Sequence, residues 1–349
     1  MRSGIGGICD IGTIAASALP LDEVAVAFGG KAAGLVRLQR SGFRTPPTWF
    51  VPPQVGLGII DVTTLDLQVS RWAVRSSSAN EDGEQRSYAG LFSSELAVVA
   101  TAVPDAVARV RASGANSRLR AVYDLVDHGP IPVVLQPFLD AELAGVWIGD
   151  GAGGGVLEWS SAGTDAVVAG TVTPARELWR SEEPLGGNAL RVAGREMGAG
   201  CLAVERAMGE ACDLEFCVHA GQLVWLQCRP VTAFVPSGVA GQSNGEVVVS
   251  GIAAAAGISR GRPRVVLSHD DEAWAAGDIL VVRYTSIEWV PLMTEASAVV
   301  TDIGGGLSHA AIISRELGIP CVTGTGTGTQ ALADMAWVTV DGDGGRVFR

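Results

Sequence analysis

At 349 residues, with 48% hydrophobic and 18% charged side chains, the chain has the composition of a globular protein of two ordinary domains and not of a disordered one. A formal net charge of −12 excludes nonspecific nucleic-acid binding, which needs a basic surface, but leaves room for a nucleotide held by a local cluster of Lys and Arg. The six cysteines (Cys9, Cys201, Cys212, Cys217, Cys228 and Cys321) show neither Cys-x-x-Cys spacing nor a zinc-type Cys–His set, so scattered thiols in a reducing compartment are expected. Asp10 and several glycines interrupt the apolar stretch from Ile5 to Leu19, which does not fit a signal peptide. The apolar run from Gly251 to Ile258 is too short and glycine-rich to span a bilayer. A cytoplasmic protein with no membrane and no nucleic-acid partner is expected.

Residues 1–235 alternate strand and helix signals. Gly29-Gly30-Lys31 opens a short helix, Ala32 to Arg40, with Leu35 and Leu38 on one side and Gly42 as its stop. Glycines let backbone N–H groups approach a phosphate, and Lys31 adds a point charge, although the pattern is not a P-loop. Trp72 to Arg75 reads as a strand that ends in Arg75-Ser76-Ser77-Ser78, where the guanidinium fork suits phosphate oxygens. A pair between Arg75 and Glu81 or Asp82 is the alternative. Ala102 to Val126 is a helical stretch broken near Gly114, and Val133–Gln136, Leu143–Ile148 and Ala166–Val172 read as strands.

Asp213 to His219 and Leu223 to Pro230 read as a hairpin. A three-residue loop, Ala220-Gly221-Gln222, sets Glu215 opposite Gln227 and Asp213 opposite Arg229. Leu214, Phe216, Val218, Val224, Leu226 and Cys228 then share the apolar face. A two-residue loop would move one strand's set to the wrong side. The polar face suits Mg²⁺, which takes one or two carboxylates plus phosphate oxygens and water. The alternative is a solvated sheet face carrying an Asp213–Arg229 ion pair, worth little energetically.

Residues 236–246 have linker composition, rich in Gly and Ser, and span about 36 Å when extended. Residues 247–349 then read as a compact mixed domain. Ala298 to Thr301 is an apolar run ending in β-branched residues, followed by the turn Gly304-Gly305-Gly306. Ser308 and His309 open a helix with Ala310, Ile313 and Leu317 at helical spacing, Gly318 at its stop and Pro320 beyond. A helix N-terminus disfavours imidazolium, so His309 is expected to stay a neutral nucleophile, and a phosphoryl group on its ring would sit among backbone donors.

Gly304–Leu307, Ser308-His309-Ala310-Ala311, Arg315–Pro320 and the closing Val338–Val347 together resemble the phosphohistidine domain of the phosphoenolpyruvate-utilising enzymes. Ala73–Asp82 with Ser87-Tyr88-Ala89-Gly90, Pro46–Val51, Val134–Leu139 and the 213–230 hairpin resemble that family's ATP-grasp-like nucleotide domain. The resemblance implies an α/β fold: residues 1–235 as nucleotide-binding domain, 236–246 as flexible linker and 247–349 as a swivelling phosphohistidine domain of β/β/α type. It implies ATP as substrate, Mg²⁺ on Glu215 and Gln227, and a phosphate-contacting Arg229. Lys31, Arg75, Gly90, Ser94, Gln136, Phe138 and Asp165 would complete the nucleotide site, with Gly305, Gly306 and Ser308 supporting His309. Three segments depart from the family pattern: the phosphate-covering loop reads Gly90-Leu91-Phe92-Ser93-Ser94, Asp165 stands where the family carries a glutamate, and the segment between Val51 and Trp72 is much shorter than usual. The reaction implied is a dikinase-type transfer from ATP, with AMP released, through His309 to a small-molecule acceptor. Alternatives are a phosphocarrier whose acceptor site lies on a partner protein, and a non-catalytic nucleotide-binding module.

Overall fold

The computed structural model describes residues 7–57, 60, 62, 69–78, 82–83, 86–87, 94–113, 131–162, 171–185, 189–231, 245–268 and 274–349. They form a mixed α/β protein of two compact units. One comprises Met1–Glu142, Gly151–Gly153 and Ala189–Thr232, the other Leu143–Asp150, Gly154–Asn188 and Ala233–Arg349. This differs from a single division near residue 235, because the strands between residues 143 and 185 associate with the C-terminal part. The physical reason lies in contacts made by Glu158 and Pro174, described below. The expected linker at 236–246 falls almost wholly outside the described residues, as do most of the expected strand 166–172 and the far part of the helical stretch beyond Ser113. Among the described residues no helix is long and apolar enough to cross a membrane.

The first unit is built on an antiparallel sheet with the spatial order Cys9–Asp10, Trp49–Val51, Val133–Pro137, Arg71–Ser76, Ser94–Val99. Alternation of side chains gives the sheet two apolar faces. Val51, Trp72, Val74, Val133 and Leu135 pack against Val103, Ala106, Val107 and Val110 of the helix Val103–Ser113. Phe50 and Val134 turn the other way, onto Val24, Phe28, Ala32, Leu35 and Val36 of the helices Leu21–Phe28 and Gly30–Arg40. The sheet is therefore covered on both sides, and its strand ends set the positions of the charged residues.

The hairpin Cys212–His219 with Gln222–Pro230 has the expected pairs Glu215↔Gln227 and Asp213↔Arg229, reached by a different route. The turn holds two residues, Ala220 (φ 50°) and Gly221 (φ 68°), with His219 facing Gln222. Both central residues lie in the left-handed region, as a tight hairpin turn requires. A bulge follows: Phe216 faces Trp225 while Glu215 faces Gln227, so Leu226 is the extra residue. Trp225 thus takes the apolar position expected for Leu226, buried with its ring 6.1 Å from Phe216. One added residue in the strand has the same effect on register as one added residue in the loop.

The C-terminal part of the second unit has three layers. A four-stranded antiparallel sheet, ordered Val247–Ser250, Arg346–Phe348, Val338–Asp341, Ile258–Gly261, lies over a five-stranded sheet. The latter runs Ile252–Ala255, Cys321–Thr323, Ala298–Thr301, Ile279–Val282, Pro263–Val265, parallel at its last three pairings. Val249, Val338, Val340 and Val347 from one sheet interlock with Ile279, Val281, Val300 and Val322 from the other. The helix His309–Leu317 buries Ala310, Ala311 and Ile313 and is closed by Gly318 in the left-handed conformation. Four further antiparallel strands, Leu143–Gly149, Gly155–Ser160, Ala175–Arg180 and Glu183–Pro184, belong to the same unit.

The start of the Gly30–Arg40 helix is fixed by Gly29, whose φ of +88° and whose missing side chain both matter: a Cβ there would lie 1.5 Å from the Ser77 carbonyl oxygen. The Ser77 hydroxyl accepts the Ala32 N–H at 3.2 Å. Gly29→Ala is expected to destabilise the protein by about 3 kcal/mol or more in urea unfolding, because the clash is with backbone and cannot be relieved by a rotamer. An unchanged midpoint would show that this helix start does not press on Ser77.

Candidate functional site

Two groups of residues carry the chemistry, one in each unit. In the first, strand ends and a helix start converge on Glu215. Arg75 Nη2 donates to Glu215 Oε2 at 2.6 Å, and both side chains are largely buried. Burial pushes the Glu215 carboxyl up, but Arg75, Arg229 and Lys31 together outweigh it and hold the group below the usual carboxylate range. Lys31 lies in the first turn of its helix and is itself buried. Arg229 donates to Asp213 from both Nε (2.7 Å) and Nη2 (2.6 Å). Ser94 begins an edge strand directly opposite Arg75. Lys31, Arg75, Arg229, Glu215, Gln227 and Ser94 are thus brought into one neighbourhood.

Gln227 Oε1 is buried and has no hydrogen-bond partner among the described residues, on the strand position facing Glu215. A buried carbonyl oxygen left without a donor is expensive. Beside a carboxylate it is what a hard cation would satisfy, and two protein oxygens suit Mg²⁺, which keeps water and phosphate ligands. No group of three His, Cys, Asp or Glu able to hold a metal occurs among the described residues.

Gln136 and Phe138 are placed differently. Gln136 is buried and its Nε2 donates to the Thr48 hydroxyl at 3.0 Å, so its amide is engaged within the sheet. Phe138 lies beyond the strand, under the Arg71 guanidinium at 5.0 Å, and Arg71 in turn pairs with Asp140. Arg71 and Arg75 are opposite ends of one strand, roughly 13 Å apart at strand rise. Phe138 is therefore not among the groups gathered on Glu215. Gly90 and Asp165 lie outside the described residues.

In the second unit His309 is the first residue of its helix and is 8% exposed. Its Nδ1 is 2.9 Å from the Thr285 hydroxyl, and its Nε2 is buried without a partner among the described residues. Burial, opposed by nearby Glu288, pushes the imidazole down to about 4. The ring is neutral as expected, with loss of hydration as the leading cause. The tautomer with hydrogen on Nδ1 donates to Thr285 and leaves the Nε2 lone pair free to attack.

The glycine turn ahead of the histidine is held on every side. The Gly305 carbonyl accepts from Ser308 Oγ (2.8 Å) and Thr323 Oγ1 (3.0 Å), and the Gly306 carbonyl accepts from Arg315 (2.7 Å). A phosphoryl group on His309 is expected to sit among backbone donors, but the N–H groups of Gly306 and Leu307 already donate to Glu158 Oε1 (2.8 Å) and Oε2 (3.2 Å). A Cβ at Gly305 would lie 2.2 Å from Glu158 Oε2 and 2.7 Å from Pro174 Cγ, which explains the glycine. Sequence reasoning missed Glu158 and Thr285. Neither carries a local signal, since an acid in a strand and a threonine before a helix turn are both common.

Residues 274–345 match the model of the mobile domain of PEP-utilising enzymes. A probable phosphoenolpyruvate synthase of Methanothermobacter thermautotrophicus is 33% identical over 321 residues, covering 79% of this chain and 46% of its own length. One from Staphylothermus marinus is 48% identical over 109 residues, covering 30% of this chain and 13% of its own. Among solved structures, the D-alanine-D-alanine ligase from Coxiella burnetii covers 59% of this chain and 47% of its own at 11% identity, with a TM-score of 0.33. Residues 274–345 thus carry the mobile domain of PEP-utilising enzymes, and most of the chain is similar to phosphoenolpyruvate synthases. The chain spans less than half the length of the curated relatives that match it over most of its length.

The His309 environment makes a direct expectation for acid stability. The imidazole's ordinary value is 6.5 and its folded value about 4, so between those pH values the unfolded chain takes up a proton that the native state refuses. Stability is therefore lost as pH falls through this window, by up to about 3 kcal/mol. Urea unfolding of His309→Gln should show that much less loss between pH 6.5 and 4 than the parent protein. Equal losses would mean that the ring is solvated.

Proposed function

We propose that the protein is an ATP-dependent phosphotransferase that carries the β-phosphoryl group of ATP on His309. The observation that carries this reading is the neutral ring whose Nε2 has no partner among the described residues while Nδ1 is tied to Thr285. That arrangement leaves one lone pair uncommitted to any described hydrogen bond. Lys31, Arg75 and Arg229 supply positive charge for a triphosphate, and Ser94 offers a hydroxyl beside Arg75. Glu215 and Gln227 would hold Mg²⁺, which neutralises phosphate charge when bound. An ATP-grasp-like role for the first unit and a swing of the His309-bearing part follow from the family resemblance.

In the proposed reaction His309 Nε2 forms a bond to the β-phosphorus as the bond from that phosphorus to the AMP oxygen breaks. AMP leaves with that electron pair. Water or phosphate takes the γ-phosphoryl group, giving phosphate or pyrophosphate, and phosphohistidine remains. The acceptor oxygen then bonds to this phosphorus, the N–P bond breaks, and His309 regains its neutral form. We propose a small-molecule acceptor with a hydroxyl or carboxylate-derived oxygen. The second reading places the acceptor site on a partner protein.

The test is incubation of the protein with Mg²⁺ and ATP labelled in the β-phosphate. AMP and an acid-labile, base-stable protein label are expected. His309→Ala should abolish the label and spare nucleotide binding, and Glu215→Ala should slow labelling by roughly a hundredfold or more. Label that persists in His309→Ala would refute the assignment. Discharge by a small molecule alone selects the first reading, and a requirement for a second protein selects the other.

A further inference from the structure

Glu158 sits within the strand Gly155–Ser160 with none of its surface exposed. An acid there is costly unless it is partnered. Its partners are backbone groups 148 and 149 residues further along the chain, the Gly306 and Leu307 N–H groups. Arg176, directly across on the neighbouring strand, adds an ion pair at 3.5 Å from Oε1. Each carboxylate oxygen thus faces its own donor, the pattern of an ionised group. Successive N–H groups in a turn ahead of a helix form a seat for an anion, and such a seat suits phosphate. Here the chain's own carboxylate fills it, immediately before the residue that would carry a phosphoryl group. Gly305 is what lets the carboxylate in, as the 2.2 Å approach to a Cβ at that position shows.

Resting on the phosphohistidine reading, we propose that Glu158 is a positioning residue that acts as a charge-sensitive latch. In the unphosphorylated protein its carboxylate occupies the anion seat of the glycine turn and fixes how His309 is presented. A phosphoryl dianion on His309 brings like charge to the same turn, weakens the hold of Glu158 and frees the turn. Loading of the histidine would then be the event that releases it. Burial already works against the ionised carboxylate and raises its pKa, with Arg176, the two N–H groups and Arg315 offsetting part of that cost, so a further negative charge acts on a group held with little to spare.

The test is amide hydrogen exchange at Gly306 and Leu307 in the full chain, read in a cycle of variants. His309→Glu adds a fixed negative charge at the head of the helix, and His309→Gln is its neutral counterpart. On the parent background His309→Glu is expected to exchange at both amides roughly tenfold faster than His309→Gln. With Glu158→Gln added, the two should exchange alike and faster than the parent protein. A merely structural role for Glu158 would not distinguish the two histidine variants. If His309→Glu fails to fold, rescue of folding by Glu158→Gln supports the latch, and failure of that rescue while His309→Gln folds overturns it. Equal exchange in the two histidine variants on the parent background also overturns it. Charge-dependent exchange in a protein that ATP never labels would keep the latch and remove the relay.

Discussion

The hydrogen bond between Thr285 and His309 decides what the histidine can do. A buried imidazole has two nitrogens and must account for both. Thr285 takes Nδ1 at 2.9 Å, and Nε2 is left facing none of the described donors or acceptors. In water such a lone pair would be hydrated, and an attacking nitrogen would first have to shed that water. Here the shedding has been done by folding, and its cost appears as the depressed proton affinity of the ring. A ring that resists protonation stays nucleophilic across the physiological range. The parallel strand Ala298–Thr301 and the glycine turn deliver that ring to the carboxyl end of the sheet, where open α/β sheets leave a crevice.

The chain is acidic as a whole, yet around Glu215 three cations meet one carboxylate and its neighbour Asp213. Net charge says little about such a place, because the fold concentrates charges that are far apart in sequence. Lys31 comes from a helix start, Arg75 from the end of a central strand and Arg229 from a hairpin. The fixing elements are ordinary ones: the Gly29 turn against Ser77, the sheet register Arg75↔Ser94, and the bulge beside Glu215. A local surplus of positive charge is unfavourable by itself. The Arg75–Glu215 ion pair offsets part of that surplus.

Much of this was legible in the sequence where a rule is local. The helix from His309 to Leu317 announces itself by Ser308, the apolar spacing and Gly318, because caps and stops are decided within a few residues. The strand at Ala298–Thr301 follows from its β-branched run. The Glu215–Gln227 pairing was also reachable, although through the wrong loop, since side-chain alternation constrains only the parity of loop plus bulge. The bulge needed Trp225 to outcompete Leu226 for the apolar face, and that is a packing preference no short window reveals. Gln136 and Phe138 sit in a segment with the right pattern, and their side chains are claimed by Thr48 and Arg71. Glu158 was invisible for a different reason: a charged residue inside a strand has meaning only when its distant partner is known.

The two sites treat negative charge in opposite ways. Around Glu215 the counter-charge is side-chain cation, long-reaching and suited to a ligand that comes and goes. At the glycine turn the counter-charge is backbone dipole, short in range and already filled by Glu158. An anion at the turn would find no free donor at Gly306 or Leu307 unless Glu158 withdraws. A phosphoryl group on His309 is therefore poorly compensated as long as the turn keeps its present shape. The buried carboxylate that orders the turn and the scarcity of free donors beside Gly305 thus have one origin, the two N–H groups that Glu158 already holds.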